Sequence, residues 1–290
     1  MRVERTKRAS GVKSALTFFL VSFAATHASP VIDDAALEEK FTQGLIAPGV
    51  DGLGGANAAK SLAKAEGKSI SVGAAQARGA TDYEDACRAV VVIGTIDHCK
   101  DCKDSHIGAV SSGWIVGAGG KVMTNYHVIE DEKAGELGVM TSDGTVYPVR
   151  AVLAADREGD AAILAIDAED ADLPALPLAT KARTGEAVRV IGHPDGRFYS
   201  LTEGIVSRAF NQVTSDERGQ RTWLTVTADY GGGSSGAPVL NAAGEVVGMV
   251  SSTAALLADT EEGKEPEAAD VQMVFRDCVS VETMRRLISD

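Results

Sequence analysis

The run Gly233-Ser234-Ser235-Gly236-Ala237-Pro238, preceded by Gly231-Gly232, sets a serine in a glycine turn between two apolar stretches. Nucleophilic attack on a carbonyl needs such a setting. The hydroxyl must stand exposed at a tight turn, and backbone N–H groups of that turn must meet the charge that develops on the carbonyl oxygen. Glycines permit the unusual backbone angles and keep side chains away from the substrate. Ser235 is therefore the candidate nucleophile, with the N–H groups of Gly233 and Ser235 as candidate oxyanion donors. An ordinary Gly/Ser loop has the same composition, so this turn alone decides nothing.

A serine hydroxyl attacks poorly unless a neighbour accepts its proton. A neutral imidazole suits this work because its unperturbed pKa lies near neutrality. His127, in Thr124-Asn125-Tyr126-His127-Val128-Ile129, follows a strand-like run and is the candidate general base. A carboxylate that orients the ring and stabilises the imidazolium completes the set. The segment Asp156-Arg157-Glu158-Gly159-Asp160 offers three acids, and Asp160 is preferred because it abuts the apolar run Ala161–Leu164. Asp156 and Glu158 remain competitors.

These groups must be held by a rigid frame. From Cys87 onward, short β-rich runs recur, each closed by Gly, Asp or Asn: residues 89–96, 113–116, 121–126, 146–154, 161–166, 187–191, 201–208, 223–227, 246–252 and 271–275. Many short strands at turn-punctuated intervals predict an all-β barrel or sandwich. No helices alternate with them, which disfavours a parallel α/β sheet. Ser280–Ile288 reads as a short amphipathic C-terminal helix with Ser280 as N-cap. Residues 254–270 read as an acidic loop insertion. Residues 29–83 are rich in Ala, Gly, Ser and charge, and are expected to be a loosely structured linker or pro-segment, with Asp33–Leu45 the best helix.

Hydrophobic residues make up 44% of the 290, enough for a sizeable core, and the formal charge of −13 argues against a nucleic-acid partner. The chain opens with basic residues, an apolar run over Ala15–Ala25 and then small residues, the order of a secretory signal peptide cut after Ala28. The expected location is secreted or periplasmic, with no stable membrane span after cleavage. An uncleaved anchor is the alternative. Without residues 1–28, which hold five basic residues and one acidic, the charge is −17. After a signal peptide, Cys87, Cys99, Cys102 and Cys278 read as disulfides, with Cys99–Cys102 and Cys87–Cys278 the favoured pairing. The cluster His98-Cys99…Cys102…His106 also has zinc-ligand spacing, with a disulfide loop preferred. His193 reads as a structural turn residue.

Taken together, the segments SSGWIV…GKVMTNYHVI, DREGDAAILAID, VIGHPDGRFYSLTEGIVS and TADYGGGSSGAPVLNAAGEVVGMVSS resemble the trypsin-like (chymotrypsin-fold) serine proteases, in particular the bacterial HtrA/DegP-like group. The likeness covers about residues 86–290, in the family's order His…Asp…Ser. It implies two six-stranded antiparallel β-barrels with the site between them, over residues 84–290. It also implies that Ser251 supports the aspartate, and that Ser251, Ser252 and Thr253 form the strand that pairs with substrate backbone. Asp229 lies six residues before Ser235, where a buried carboxylate would select Lys or Arg at the cleaved position, although Tyr230 could block that pocket. Ser234 stands where the digestive enzymes carry an aspartate that pairs with a freed N-terminus. No PDZ module is expected after the protease segment.

The expected activity is endopeptidase, through an acyl-enzyme and with no cofactor, on protein or peptide substrates; the oligomeric state stays open. A protease-fold binding or scaffold protein is the alternative from another class, and an esterase on the same site is a third. An α/β-hydrolase is disfavoured, because its nucleophile turn needs glycine where Ala237 stands.

Overall fold

The computed structural model describes residues 31–73, 78–98, 104–131, 134–168, 171–258 and 270–289. The signal-peptide reading, the Cys99–Cys102 pair and the proposed zinc loop fall largely outside these residues.

Two closed antiparallel barrels of six strands carry the chain. The first contains β1 (Val90–His98), β2 (Ser105–Gly117), β3 (Lys121–Thr124), β4 (Glu136–Met140), β5 (Val146–Asp156) and β6 (Ala161–Ile166), closed in the order β1-β2-β3-β6-β5-β4. The second contains β7 (Ala187–Gly192), β8 (Ser200–Val213), β9 (Gln220–Val226), β10 (Pro238–Leu240), β11 (Val246–Leu257) and β12 (Val271–Ser280), in the order β10-β11-β12-β9-β8-β7. Closure removes the free edges that an open sheet would leave for aggregation.

The continuous apolar runs of the sequence follow from burial on both strand faces. Along β1, Val91 and Ile93 point into the first barrel's core, where Ile115, Val122 and Leu164 meet them. Val90 and Val92 point the other way, into a second cluster that joins Trp114, Met123 and Ile163 to Ile191, Met249 and Val279 of the second barrel and to Met284 of the C-terminal helix. The second barrel has its own core of Val188, Val190, Val206, Leu224, Val239 and Val247. The site-bearing turns thus rest on a packed interface between barrels.

Residues before the first barrel form α1 (Asp34–Leu45), α2 (Gly55–Ala65) and α3 (Tyr83–Ala89). The side chain of Asp33 caps α1 by accepting from the Ala36 N–H. Both longer helices bury one stripe at helical spacing: Phe41 and Leu45 on α1; Ala58, Leu62 and Ala65 on α2. Burying a side chain such as Phe41 or Leu62 is worth about 1.5–3 kcal/mol. The two helices lie on the first barrel, and Leu53 between them bonds both Val149 and Leu137 through the backbone.

Ser280 caps α4 (Val281–Met284) by accepting from the Thr283 N–H, and one 3-10 turn, Arg285–Leu287, completes the C-terminal helix. Two details differ from expectation. Residues 254–257 are strand, paired with β12, so the β11–β12 hairpin reaches further than the acidic composition suggests. Cys87 and Cys278 are both free and buried. Their pairing fails because each thiol lies in a different apolar environment, Cys87 on α3 and Cys278 in the second barrel's core.

Candidate active site

The turn that leads into β10 engages its peptide groups one by one. The Gly232 carbonyl accepts from the Asp195 N–H (2.7 Å), and the Gly233 carbonyl from the Ser112 hydroxyl (2.9 Å). The Ser234 carbonyl accepts from Ala237 (2.9 Å) and the Ser235 carbonyl from the Ser112 N–H (2.8 Å). On the donor side, Ser234 bonds to Gly231 and Gly236 to Val250. Among the described residues, no acceptor takes the N–H of Gly233 or of Ser235. Because a trans peptide points its C=O and N–H in opposite directions, anchoring the Gly232 carbonyl on Asp195 turns the Gly233 N–H away from the protein body.

Glycine is required at two of these positions. Gly233 has φ +91°, and a Cβ there would come within 2.4 Å of the His193 carbonyl oxygen. Gly236 has φ +86°, and its Cβ would meet the Ser112 carbonyl oxygen at 2.0 Å. Neither contact admits a side chain.

His127 sits in the turn after β3. Its neighbours Tyr126 and Ile129 are buried in the first barrel, so the turn is anchored on both sides. The imidazole is partly open to solvent, at 41% side-chain exposure. Its Nδ1 lies 3.0 Å from both carboxylate oxygens of Asp160, and its backbone N–H donates to Oδ1 at 3.1 Å. The bond to Asp160 raises the His127 pKa above the ordinary imidazole value, against a smaller opposing effect of burial.

Asp160 occupies the β5–β6 turn with φ +48°, a conformation that Asp tolerates better than most residues. The side-chain amide of Asn125 donates to its carbonyl at 3.0 Å. The Ser251 hydroxyl donates to Oδ2 at 2.5 Å, and the Ser251 carbonyl lies 3.5 Å from the Ser235 hydroxyl. Ser251 therefore touches both the carboxylate and the serine.

The two competing acids have other partners. Asp156 is 5% exposed and takes the Arg221 guanidinium through two bonds, Nε to Oδ2 at 2.5 Å and Nη2 to Oδ1 at 3.0 Å. Glu158 accepts from the backbone N–H of Ser215 at 3.0 Å and from its hydroxyl.

β11 pairs with β10 only as far as Met249, whereas β12 follows it to Leu257. Past Val250 one edge of β11 thus has no strand partner among the described residues, and Ser252 and Thr253 lie exposed on it. A cleft of about 520 Å³ is lined by His127, Asp160, Phe210, Trp223, Ser252 and Asp277, among others.

Asp229 is not buried. Its carboxylate is 78% exposed and pairs with Arg276 at 2.5 Å. Tyr230 turns inward instead, and its hydroxyl donates toward the carbonyls of Asp277 (2.9 Å) and Ser252 (3.1 Å). His193, expected in a turn, is fully buried there; its Nδ1 accepts from the Tyr199 N–H at 3.0 Å, and burial pushes its pKa down to about 4.

Residues 111–249 match the family model of the trypsin-like peptidase domain. Over this segment, just under half of its length, the chain is similar to that family. The match runs from β2 into β11 and takes in His127, Asp160 and Ser235. Among curated relatives, Protease Do-like 1, chloroplastic, from Arabidopsis thaliana is 32% identical over 48% of this chain and 32% of its own length. A probable periplasmic serine endoprotease DegP-like from Pseudomonas savastanoi pv. phaseolicola is 34% identical over 49% of this chain and 28% of its own. Serine endoprotease DegS from Salmonella typhimurium is 30% identical over 63% of this chain and 49% of its own. The chain thus spans half or less of the length of these relatives. No helix among the described residues is long and apolar enough to cross a membrane.

Sequence reasoning gave no role to Ser112, Asn125 or Arg221. Asn125 stood inside the histidine motif, a usable signal. Ser112 stood inside the SSGWIV segment, though its contact with a turn far away in the chain was not legible there, and Arg221 carried no signal.

Proposed function

We propose that this protein is a serine endopeptidase acting on protein substrates outside the cytoplasm. One observation carries the reading: Asp160 holds His127 by Nδ1 while Ser251 links that carboxylate to Ser235. With Nδ1 engaged, Nε2 is the ring nitrogen left to act as base. In this reading Nε2 takes the Ser235 proton as the Oγ–C bond forms. The N–H groups of Gly233 and Ser235 receive the oxyanion. The imidazolium then protonates the leaving amine and the C–N bond breaks. Water, deprotonated by the same ring, attacks the acyl ester and frees the acid and Ser235. These steps call for no cofactor.

The unpaired edge of β11 supports binding of an extended substrate alongside Ser251, Ser252 and Thr253 by β-augmentation. Asp229, facing solvent with Arg276 as its counter-ion, takes no part in choosing a basic residue, and Tyr230 fills the space beneath Ser252. The chemistry belongs to residues 84–290, with α1 and α2 of the preceding extension bracing the first barrel. The basic-apolar-small order of residues 1–28 supports export, as does the relative named periplasmic.

Casein hydrolysis tests this function. Wild type should release peptides, and His127→Ala should lose at least about 10³-fold in kcat. A folded wild type that cleaves small esters but leaves casein intact would replace the endopeptidase reading with an esterase.

A further inference from the structure

We propose that Ser112 is a positioning residue for the oxyanion site, its hydroxyl holding the nucleophile turn in the form that turns the Gly233 and Ser235 N–H groups toward substrate. The proposal rests on the protease reading above.

Ser112 lies on β2 of the first barrel and is fully buried. All of its polar groups are engaged. Its N–H donates to the Ser235 carbonyl at 2.8 Å, and its hydroxyl donates to the Gly233 carbonyl at 2.9 Å. The same hydroxyl accepts from the His193 N–H at 3.1 Å. Its carbonyl accepts from the Thr124 hydroxyl at 2.9 Å, three residues before His127. One residue of the first barrel thus grips the second barrel's nucleophile turn on both sides of Ser234 and is tied to the strand that carries the base.

The hydroxyl is suited to this because it donates and accepts at once in a small volume. Space is limited: a Cβ on Gly192 would stand 3.2 Å from Ser112 Oγ. Removing the hydroxyl leaves the half-buried Gly233 carbonyl without its donor. Gly233 has no side chain to resist rotation of that peptide. Rotation about the Gly233 backbone changes the angle between its own N–H and that of Ser235, and the two donors no longer converge on one oxygen.

The effect falls on the transition state, because ground-state binding uses the β11 edge rather than the oxyanion donors. In the full chain, Ser112→Ala should lower kcat on a peptide amide by about ten- to a hundredfold, with KM within about twofold. A peptide boronate, whose adduct with Ser235 puts an oxygen at the oxyanion site, should bind more weakly by a similar factor. A purely structural role would reduce the fraction of active molecules while the boronate affinity of the remainder stayed at the wild-type value, and that result overturns the proposal. So does a folded Ser112→Ala with unchanged kcat. If Ser112→Ala does not fold, Ser112→Cys, which keeps a weaker donor, is read by the same two measurements. A wild type that neither cleaves the amide nor binds the boronate would remove the protease reading itself, an outcome distinct from unaffected Ser112 variants.

Discussion

Asp160 takes His127 Nδ1 at 3.0 Å and the Ser251 hydroxyl at 2.5 Å on one carboxylate, so the group that holds the imidazole is itself held from the second barrel. The first barrel supplies His127 and Asp160, the second supplies Ser251 and Ser235, and the carboxylate is where they join.

The pH dependence follows from this bond. Asp160 raises the His127 pKa, so the ring stays protonated, and unable to act as base, to a higher pH than a free imidazole would. kcat/KM should rise from acid toward neutral pH with a midpoint above the ordinary histidine value, and Asp160→Asn should move that midpoint down while lowering kcat. Stability runs the opposite way. A pKa raised on folding contributes stability that is fully present below the unfolded value and lost as pH rises through the folded value. His127→Ala should therefore cost more stability in acid than at alkaline pH. Urea unfolding of the two proteins across this range measures it; a cost independent of pH would show that the bond does not shift the ring.

The Asp156–Arg221 pair joins the β5–β6 turn to β9. Both side chains are largely buried, at 7% and 15% exposure, and Asp156 also accepts from the Gly159 N–H, next to Asp160. Arg221→Met leaves a buried carboxylate without its partner, which costs about 3 kcal/mol. The urea midpoint should fall accordingly, and adding Asp156→Asn should restore part of the loss. An unchanged midpoint for Arg221→Met would mean the pair contributes nothing.

Burial pushes the thiols up, Cys87 to about 11 and Cys278 to about 12, so little reactive thiolate exists at neutral pH. In a chain with Cys99→Ser and Cys102→Ser, iodoacetamide should leave the folded protein almost unmodified. It should alkylate both remaining cysteines after denaturation without reductant. Absence of thiols in the denatured chain would mean that Cys87 and Cys278 are joined.

The sequence made the strands legible where both faces are buried, as in Val90–Ile93 or Ala161–Leu164, because such runs are apolar at every position. It hid β10, three residues opened by a proline, and β4, which begins at exposed Glu136. It also hid the outer part of β11, residues 254–257, which face solvent and are strand only because they pair with β12. Ser235 and His127 could be named as candidates because the residues around them in the chain also surround them in the fold. Choosing among Asp156, Glu158 and Asp160 depended on Arg221 and Ser215, 65 and 57 residues distant. Asp229 had the spacing of a specificity residue, but spacing carries no information about Arg276. Cysteine parity likewise carried no information about the separate cores that hold Cys87 and Cys278.

Covalent labelling by a fluorophosphonate tests the activated serine most directly. Such a probe reacts with a serine whose proton is removed by a neighbouring base and whose adduct is held by oxyanion donors. Wild type should be labelled on Ser235, Ser235→Ala should not be labelled, and His127→Ala should react far more slowly. A correctly folded wild type that stays unlabelled, or a Ser235→Ala protein labelled as fast as wild type, would contradict the assignment of Ser235 as nucleophile.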